Sequence, residues 1–423
     1  MEEYNPWWFN EPDTTYMKWK ASRVKWIPSL LEKIKLKPFS LHFLTGPRQV
    51  GKTTLLKLLI HSELSKGRDP KSIFYMSCDE ITDFRELGEI LDTYLSFKEE
   101  NYVRSSLIII DEITFVDEWW RAIKSRIDLG KFSRDVIIIS GSSSIDLLLE
   151  KERFPGRRGF GKDYVLYPLS FSEYLSKVKK IKVHTSKLEN IESFMKRWKA
   201  NEALQQRIMK AFNEYMCSGG FPLSVIDMQL SGNVSLETVQ IYLNWMRLDW
   251  QKAGKNEKTM KEVISAVLDT RLNPISWLTL AKATSAKSPA TVESYIETLE
   301  KMMVAKTLYI ITPDKRVQYR KNKKIHFTDP LIYRALARYC RKEVYPETIL
   351  ESILAMHIAR KYETYYWRNS TEVDVVALIK GKLIGFEAKT TLKPWRKPRF
   401  LKEALILDKE KLATFLATLN TAP

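Results

Sequence analysis

The stretch Gly46-Pro47-Arg48-Gln49-Val50-Gly51-Lys52-Thr53-Thr54 fits the pattern GxxxxGK[ST] and constrains the fold more than any other part of the chain. The apolar run Leu41 to Leu44 precedes it, and a helical pattern, Leu55, Leu58 and Leu59, follows. A strand, a loop and a helix in that order aim successive backbone N–H groups and a helix N-terminus at phosphate oxygens. Residues Gly46 to Thr54 are therefore expected to cradle a nucleoside triphosphate. Lys52 would reach its β- and γ-phosphates and the Thr53 hydroxyl would join its Mg²⁺ ion. The expected cofactors are ATP and Mg.

From Leu41 to about Leu149 apolar runs alternate with amphipathic stretches. The strands are expected at Leu41–Leu44, Ile73–Ser77, Leu107–Ile110 and Val136–Ser140. Helices are expected after Thr53, around Phe84–Leu95 and around Trp119–Ile127. Continuous apolar strands separated by helices predict an α/β fold, a parallel sheet covered on both faces. The third run, Leu107-Ile108-Ile109-Ile110-Asp111-Glu112, ends in two carboxylates, the form of a Walker B motif. Asp111 would hold the Mg²⁺ ion and Glu112 would polarise the attacking water. The fourth ends Ser140-Gly141-Ser142-Ser143-Ser144, where Ser142 is placed to sense the γ-phosphate.

At 423 residues the chain is long enough for two to four domains. The formal net charge of +18 points to a polyanion, DNA above all, as a partner. No apolar run reaches ~18 residues, so no membrane span is expected. The start Met1-Glu2-Glu3 is unlike a secretory or transit signal, so a cytoplasmic protein is expected. Cys78, Cys217 and Cys340 have no metal-ligand spacing.

Residues 1–40 form an arm with Trp7, Trp8, Trp19 and Trp26, a composition that predicts packing onto the domain that follows. Residues 41–175 are the nucleotide-binding core, and 176–259 read as a helical lid or linker. Residues 260–330 carry the pattern of a winged helix. Ser288 can cap a helix with Pro289 at its first position, and Val292, Tyr295, Ile296 and Leu299 follow at helical spacing. Thr307–Ile311, a turn at Thr312-Pro313-Asp314-Lys315 and Val317–Tyr319 would make the wing. Lys315, Arg316, Arg320, Lys321, Lys323 and Lys324 would give it a basic surface suited to phosphate contact. Glu293 and Glu297 on the would-be recognition helix speak against sequence-specific reading, and a spacer role between protein domains stays open.

Residues 331–423 hold a second carboxylate constellation. If Lys380-Gly381 is a two-residue hairpin turn, Asp374 lies opposite Glu387 and Glu372 opposite Lys389. All four then share one face, with facing Cβ atoms roughly 5 Å apart. Asp374 and Glu387 at that separation can hold a metal ion, and Lys389 can orient or deprotonate an attacking water. A cross-strand Glu372–Lys389 ion pair is the plainer alternative.

The motifs GPRQVGKTT, LIIIDE, ISGSSS, FPGRRG, YPLSFSEYL and CSGGFP occur in this order. Together they resemble the archaeal and bacterial P-loop ATPases of the AAA type that join a winged helix and a C-terminal restriction-endonuclease-like, PD-(D/E)xK, domain. The resemblance covers most of the chain. It implies a P-loop NTPase sheet with a helical lid and an α/β nuclease-like domain, and a homo-oligomer in which Arg157 or Arg158 reaches a neighbour's nucleotide. It matches Glu351, Asp374, Glu387 and Lys389 to a nuclease site, although relatives that do not cut share the same setting. The serine-rich Ser140–Ser144 stretch departs from the Asn that AAA proteins commonly use as a sensor. The function expected is a DNA-associated ATPase that couples hydrolysis to rearrangement of its DNA-binding domains. A nucleotide switch acting on a protein partner and an ATP-gated endonuclease are the alternatives.

Overall fold

The computed structural model describes residues 1–141, 147, 153–286, 288–369, 371–389 and 395–421. The chain forms two compact units, Met1–Tyr167 and Pro168–Pro423. Ser142, expected as a phosphate sensor, lies outside the described residues.

The first unit is built on β1 (Ser40–Thr45), β2 (Ile73–Ser77), β3 (Leu107–Asp111), β4 (Val136–Ser140) and β5 (Asp163–Val165), in the order β2-β3-β4-β1-β5. Neighbouring strands all run parallel. Their Ile, Leu and Phe side chains are buried on both faces, as continuous apolar runs require. The helices Lys52–Ser65, Phe84–Glu100 and Trp120–Asp128 connect them. Because the strands are parallel, the carboxyl ends of β1, β3 and β4 meet at one edge, where crevices in such sheets form. β4 stands between β1 and β3, which sets the loop after Thr45 and the acid at Asp111 two strands apart.

Residues before β1 close the free side of β2. The Asn5 amide donates to the Tyr75 carbonyl at 2.9 Å and accepts from the Tyr75 N–H at 2.7 Å. The indoles of Trp7 and Trp8 both donate to the Ile73 carbonyl. Trp8 stacks on Phe97 with ring centroids 4.5 Å apart.

The second unit opens with the helices Ile191–Glu202, Gln205–Ser218, Pro222–Ser231 and Leu236–Lys252. Next come the helices Glu257–Asp269, Trp277–Lys282 and Pro289–Lys301, the last capped by Ser288 with Pro289 at its first turn. β6 (Ala305–Leu308) pairs antiparallel with β9 (Lys324–Phe327). Between them β7 (Ile310–Ile311) and β8 (Val317–Gln318) form a hairpin, so the expected strand Thr307–Ile311 is divided at Tyr309. That hairpin does not stand alone. β7 also pairs with β10 (Glu363–Arg368), and with β11 (Glu372–Ile379), β12 (Lys382–Lys389) and β13 (Glu403–Asp408) completes a six-stranded sheet, β13-β12-β11-β10-β7-β8.

Two further corrections concern the expected basic surface of this hairpin. Lys315, Arg316, Arg320 and Lys321 are exposed, but Lys323 and Lys324 are buried, at 2% and 1% exposure. Lys323 lies 4.2 Å over the Trp277 ring, and Lys324 points into the carboxylates described below.

The C-terminal helix Lys409–Thr418 packs back onto the helices Ile191–Glu202 and Gln205–Ser218. Phe415 meets Phe194 and Trp198, and the buried Asn201 amide donates to the Thr418 hydroxyl.

Candidate functional site

The loop after β1 has the backbone that phosphate cradling needs. Gly46 (φ +154°) and Gly51 (φ +98°) take conformations that L side chains rarely adopt, and a Cβ on Gly46 would meet the Leu166 carbonyl at 2.4 Å. Gln49 is also left-handed, at φ +60°. Gly51 opens the Lys52–Ser65 helix, so the helix N-terminus faces the loop. The buried Lys52 ammonium donates to the carbonyls of Gly46 and Pro47 at 3.0 and 3.1 Å. It thus lies along the loop whose phosphates it would meet.

Asp111 is 1% exposed and collects hydrogen bonds from several elements. Its Oδ2 accepts from the Thr53 hydroxyl at 2.7 Å and from the Tyr75 hydroxyl at 3.1 Å. Its Oδ1 accepts from the Ser140 hydroxyl at 2.5 Å and the Glu112 N–H at 3.1 Å. Thr53 and Asp111, the two metal ligands expected from sequence, are therefore brought together. Their oxygens suit a hard cation that takes its remaining ligands from water and phosphate, so the residues present fit Mg²⁺. Glu112 follows at φ +55°, a left-handed backbone that costs of order 1–3 kcal/mol in a residue other than Gly.

Tyr75 and Ser140 escape a reading of local motifs. Each ends or lines a strand beside β3, so only sheet order shows that it faces Asp111. Behind Tyr75 stands a further layer. Lys57, on the Lys52–Ser65 helix, lies 3.4 Å over the Tyr75 ring and pairs with Asp13 at 3.0 Å, both side chains being 6% exposed. Burial lowers the Lys57 affinity for its proton, and Asp13 opposes that. Burial, followed by Asp111, raises the Tyr75 phenol far above its ordinary range, so it remains a donor.

The arginines of FPGRRG are both engaged within this unit. Arg157 Nε lies 2.6 Å from Asp128 Oδ1 at the surface. Arg158 pairs with Asp163 at 2.6 Å and lies 4.8 Å over the Phe43 ring.

In the second unit, Lys380 (φ +47°) and Gly381 (φ +74°) make the two-residue turn, and Val375 opposes Phe386 across it. That register places Asp374 beside Glu387. The Asp374 N–H donates to Glu387 Oε2 at 3.3 Å, and the Ala388 N–H donates to Asp374 Oδ2 at 3.0 Å. Glu351, on the helix Pro346–Ala359, joins them. The structure does not put a vacant metal position among these acids. The Lys324 ammonium lies 2.7 Å from Glu351, 2.6 Å from Glu372 and 3.1 Å from Asp374. Lys324 from β9 thus enters the cluster, while Lys389, at the end of β12 in register with Asp408, acts on Glu387. Glu372 is engaged by Lys324 and, at 3.5 Å, by Arg368.

Burial works against the Lys324 charge, but Glu351, Asp374 and Glu372 outweigh it and hold the proton well above the lysine range. One cation serves several buried acids. Burial, followed by Asp374, pushes the Glu351 and Glu387 carboxyls well above the usual carboxylate range. Among the described residues no group of three His, Cys, Asp or Glu side chains is arranged to hold a metal ion. The donor set here does not fit the Mg²⁺ expected at Asp374 and Glu387.

Comparison with known proteins bears on both units. Residues 39–175 match the family model of a AAA domain, and residues 209–343 match a domain of unknown function, DUF8612. The first unit thus carries a P-loop domain of the AAA type. No curated protein matches. Among solved structures, the chain is similar to the ORC2 protein of Aeropyrum pernix in ADPNP-ADP complexes, with 10% identity and a TM-score of 0.38 over 71% of this chain and 88% of that one. It is similar also to the ORC1 protein of the same organism in complex with DNA, with 13% identity and a TM-score of 0.31 over 74% and 89%. A third is AMPPCP-bound DnaA from Aquifex aeolicus, with 19% identity and a TM-score of 0.24 over 64% and 84%. At scores this low the superpositions carry no argument about this chain. Among the described residues no helix is long and apolar enough to cross a membrane.

Proposed function

We propose that the protein is a Mg-dependent ATPase that works on DNA, the first unit cleaving ATP and the second holding the nucleic acid. The observation that carries the ATPase reading is the 2.7 Å hydrogen bond from the Thr53 hydroxyl to Asp111 beneath a glycine-shaped loop. Backbone N–H groups of the loop 46–54, Pro47 aside, and Lys52 would bind the phosphates, and Thr53 and Asp111 would hold the metal ion. When bound, that ion neutralises charge on the β- and γ-phosphates. Glu112 accepts the proton of the attacking water, its position fixed by the left-handed backbone that follows β3.

Arg157 is the better finger toward a neighbouring copy. Its Asp128 pair is at the surface and exchangeable, whereas Arg158 is tied to Asp163 and to the Phe43 ring. A homo-oligomer follows from that role.

We read residues 260–330 as a winged helix whose hairpin has been absorbed into the C-terminal sheet. The net charge of +18 and the exposed Lys315, Arg316, Arg320 and Lys321 support contact with a phosphate backbone. Residues 331–423 resemble a PD-(D/E)xK relative that holds rather than cuts, and Lys324 among the carboxylates supports this.

ATP hydrolysis measured with and without single-stranded, duplex and branched DNA, for wild type and Lys52→Ala, tests the reading. Turnover that ignores every DNA at low salt removes the DNA half. Full activity in Lys52→Ala removes the assigned site. Tightly retained nucleotide with negligible turnover favours a switch acting on a protein partner.

A further inference from the structure

The six-stranded sheet ends in β10-β7-β8, and one face of that end is aromatic. Ile311 pairs with Val317, and two residues away on the same face Tyr309 and Tyr319 meet, ring centroids 5.1 Å apart and nearly perpendicular. The Tyr366 N–H donates to the Tyr309 carbonyl, which sets Tyr365 on the strand beside Tyr309. Tyr365 and Trp367 pack with Ile311 on this face, and the Trp367 ring meets Phe400 at 5.1 Å.

Tyr365 and Trp367 pack against a buried cluster, while Tyr319 stands out from it. Tyr319 is 66% exposed, and Tyr309, Tyr365 and Trp367 are only partly covered. Tyr319 is held by Tyr309 on one side and open on the rest of its surface, the arrangement of a stacking platform rather than of a buried side chain.

Charge complements the rings. Lys315 and Arg316 occupy the β7–β8 turn, Arg320 and Lys321 follow Tyr319, and all four are exposed. Nearby acids are Asp314, paired with Arg316 at 2.8 Å, and Glu363, which accepts from the Tyr365 hydroxyl. Glu300, Glu293 and Glu297 of the Pro289–Lys301 helix also act on Tyr309. Those glutamates repel a duplex from the helix that a winged helix would insert, and duplex bases have no free face to stack. Unpaired bases on a phosphate backbone meet the same charges but offer a free face for stacking.

We propose that the face carrying Tyr319, Tyr309 and Tyr365 binds single-stranded DNA, one base stacking on Tyr319 while Arg320 and Lys321 contact the backbone. This rests on the reading of the second unit as the DNA-holding part. It names the strand state that this part selects.

Fluorescence anisotropy of a labelled oligothymidylate and of a matched duplex, with full-length protein across a salt series, tests it. Wild type should bind the single strand more tightly than the duplex. Tyr319→Ala should weaken single-strand binding on the order of tenfold, with Tyr319→Phe close to wild type. Arg320→Gln should flatten the log–log salt dependence by about 0.7. Turnover of ATP without DNA and the thermal melt of the whole chain should be unchanged in all three, the melt showing that the second unit folds. Wild type that binds duplex but not single strand overturns this proposal and leaves the DNA-holding role intact. Failure to bind either overturns both. Equal affinity in wild type and Tyr319→Ala, tighter binding of the matched RNA strand, or a dimer lost on Tyr319→Ala in light scattering each overturns the assignment of this face.

Discussion

The Lys324 ammonium stands 3.1 Å from Asp374 Oδ1 and within 2.7 Å of Glu351 and Glu372, a cation shared by three acids. A cation delivered by the chain itself cannot be chelated away. It also leaves no open coordination position for water. The expected outcome is that wild-type protein does not nick plasmid with Mg²⁺ or Mn²⁺, as gel electrophoresis would show.

Removing that ammonium should be costly. Lys324→Met strips the shared partner from Glu351, Glu372 and Asp374 and should destabilise the second unit by roughly 3–5 kcal/mol, since Asp374 and most of Glu351 stay covered. Urea titration checks this, and a loss near zero would show that the carboxyls need no partner.

At the nucleotide site, Glu112→Gln keeps shape and removes the base. It should lower turnover by about 10²–10⁴ while ATP still binds. Lys52→Ala should lose binding as well. Calorimetry beside a phosphate-release assay separates the two, and Glu112→Gln with normal turnover would clear Glu112 of the role.

The pair between Asp13 and Lys57 gives a separate test. Asp13→Asn leaves a buried lysine over the Tyr75 ring without its carboxylate and should cost about 3 kcal/mol in the first unit. Asp13→Asn combined with Lys57→Met should recover most of that loss. Additive losses in the double variant would refute the coupling.

His357 makes the second unit sensitive to acid. The Phe171 N–H donates to its Nε2 at 3.0 Å, so the ring is neutral with its proton on Nδ1, directed at the Ile353 carbonyl 2.8 Å away. Burial, then Arg360, lowers its affinity for a second proton from 6.5 to about 3. With the folded value depressed, its contribution is complete above about 6.5 and is lost as pH falls toward 3. Thermal melts from pH 7 to 4 should slope less steeply for His357→Gln than for wild type, and parallel slopes would exclude His357 as the cause.

Much of the first unit was legible because its signals are local. Runs such as Leu107–Ile110 are apolar at every position, which a strand buried on both faces requires, and the Gly46–Gly51 loop lies between a strand and a helix. The Asp374–Glu387 register was legible for a different reason: a two-residue turn leaves the strands one way to align. Lys324 was not legible. Its partners lie on the helix Pro346–Ala359 and on β11, and an ion pair across that separation leaves no mark on neighbouring residues. From sequence it reads as one more cation of the β7–β8 surface. Tyr75 and Ser140 were hidden likewise, since their approach to Asp111 follows from which strands are neighbours.

The side-chain amide of Asn5 closes both hydrogen-bonding groups of Tyr75 with a single residue. A fragment cut to begin at β1 would retain Gly46–Thr54, Asp111 and Glu112 yet present β2 as an open template for strand addition. Such a fragment should self-associate in proportion to its concentration, and oligomers seen with it would report the missing arm rather than the assembly of the intact chain.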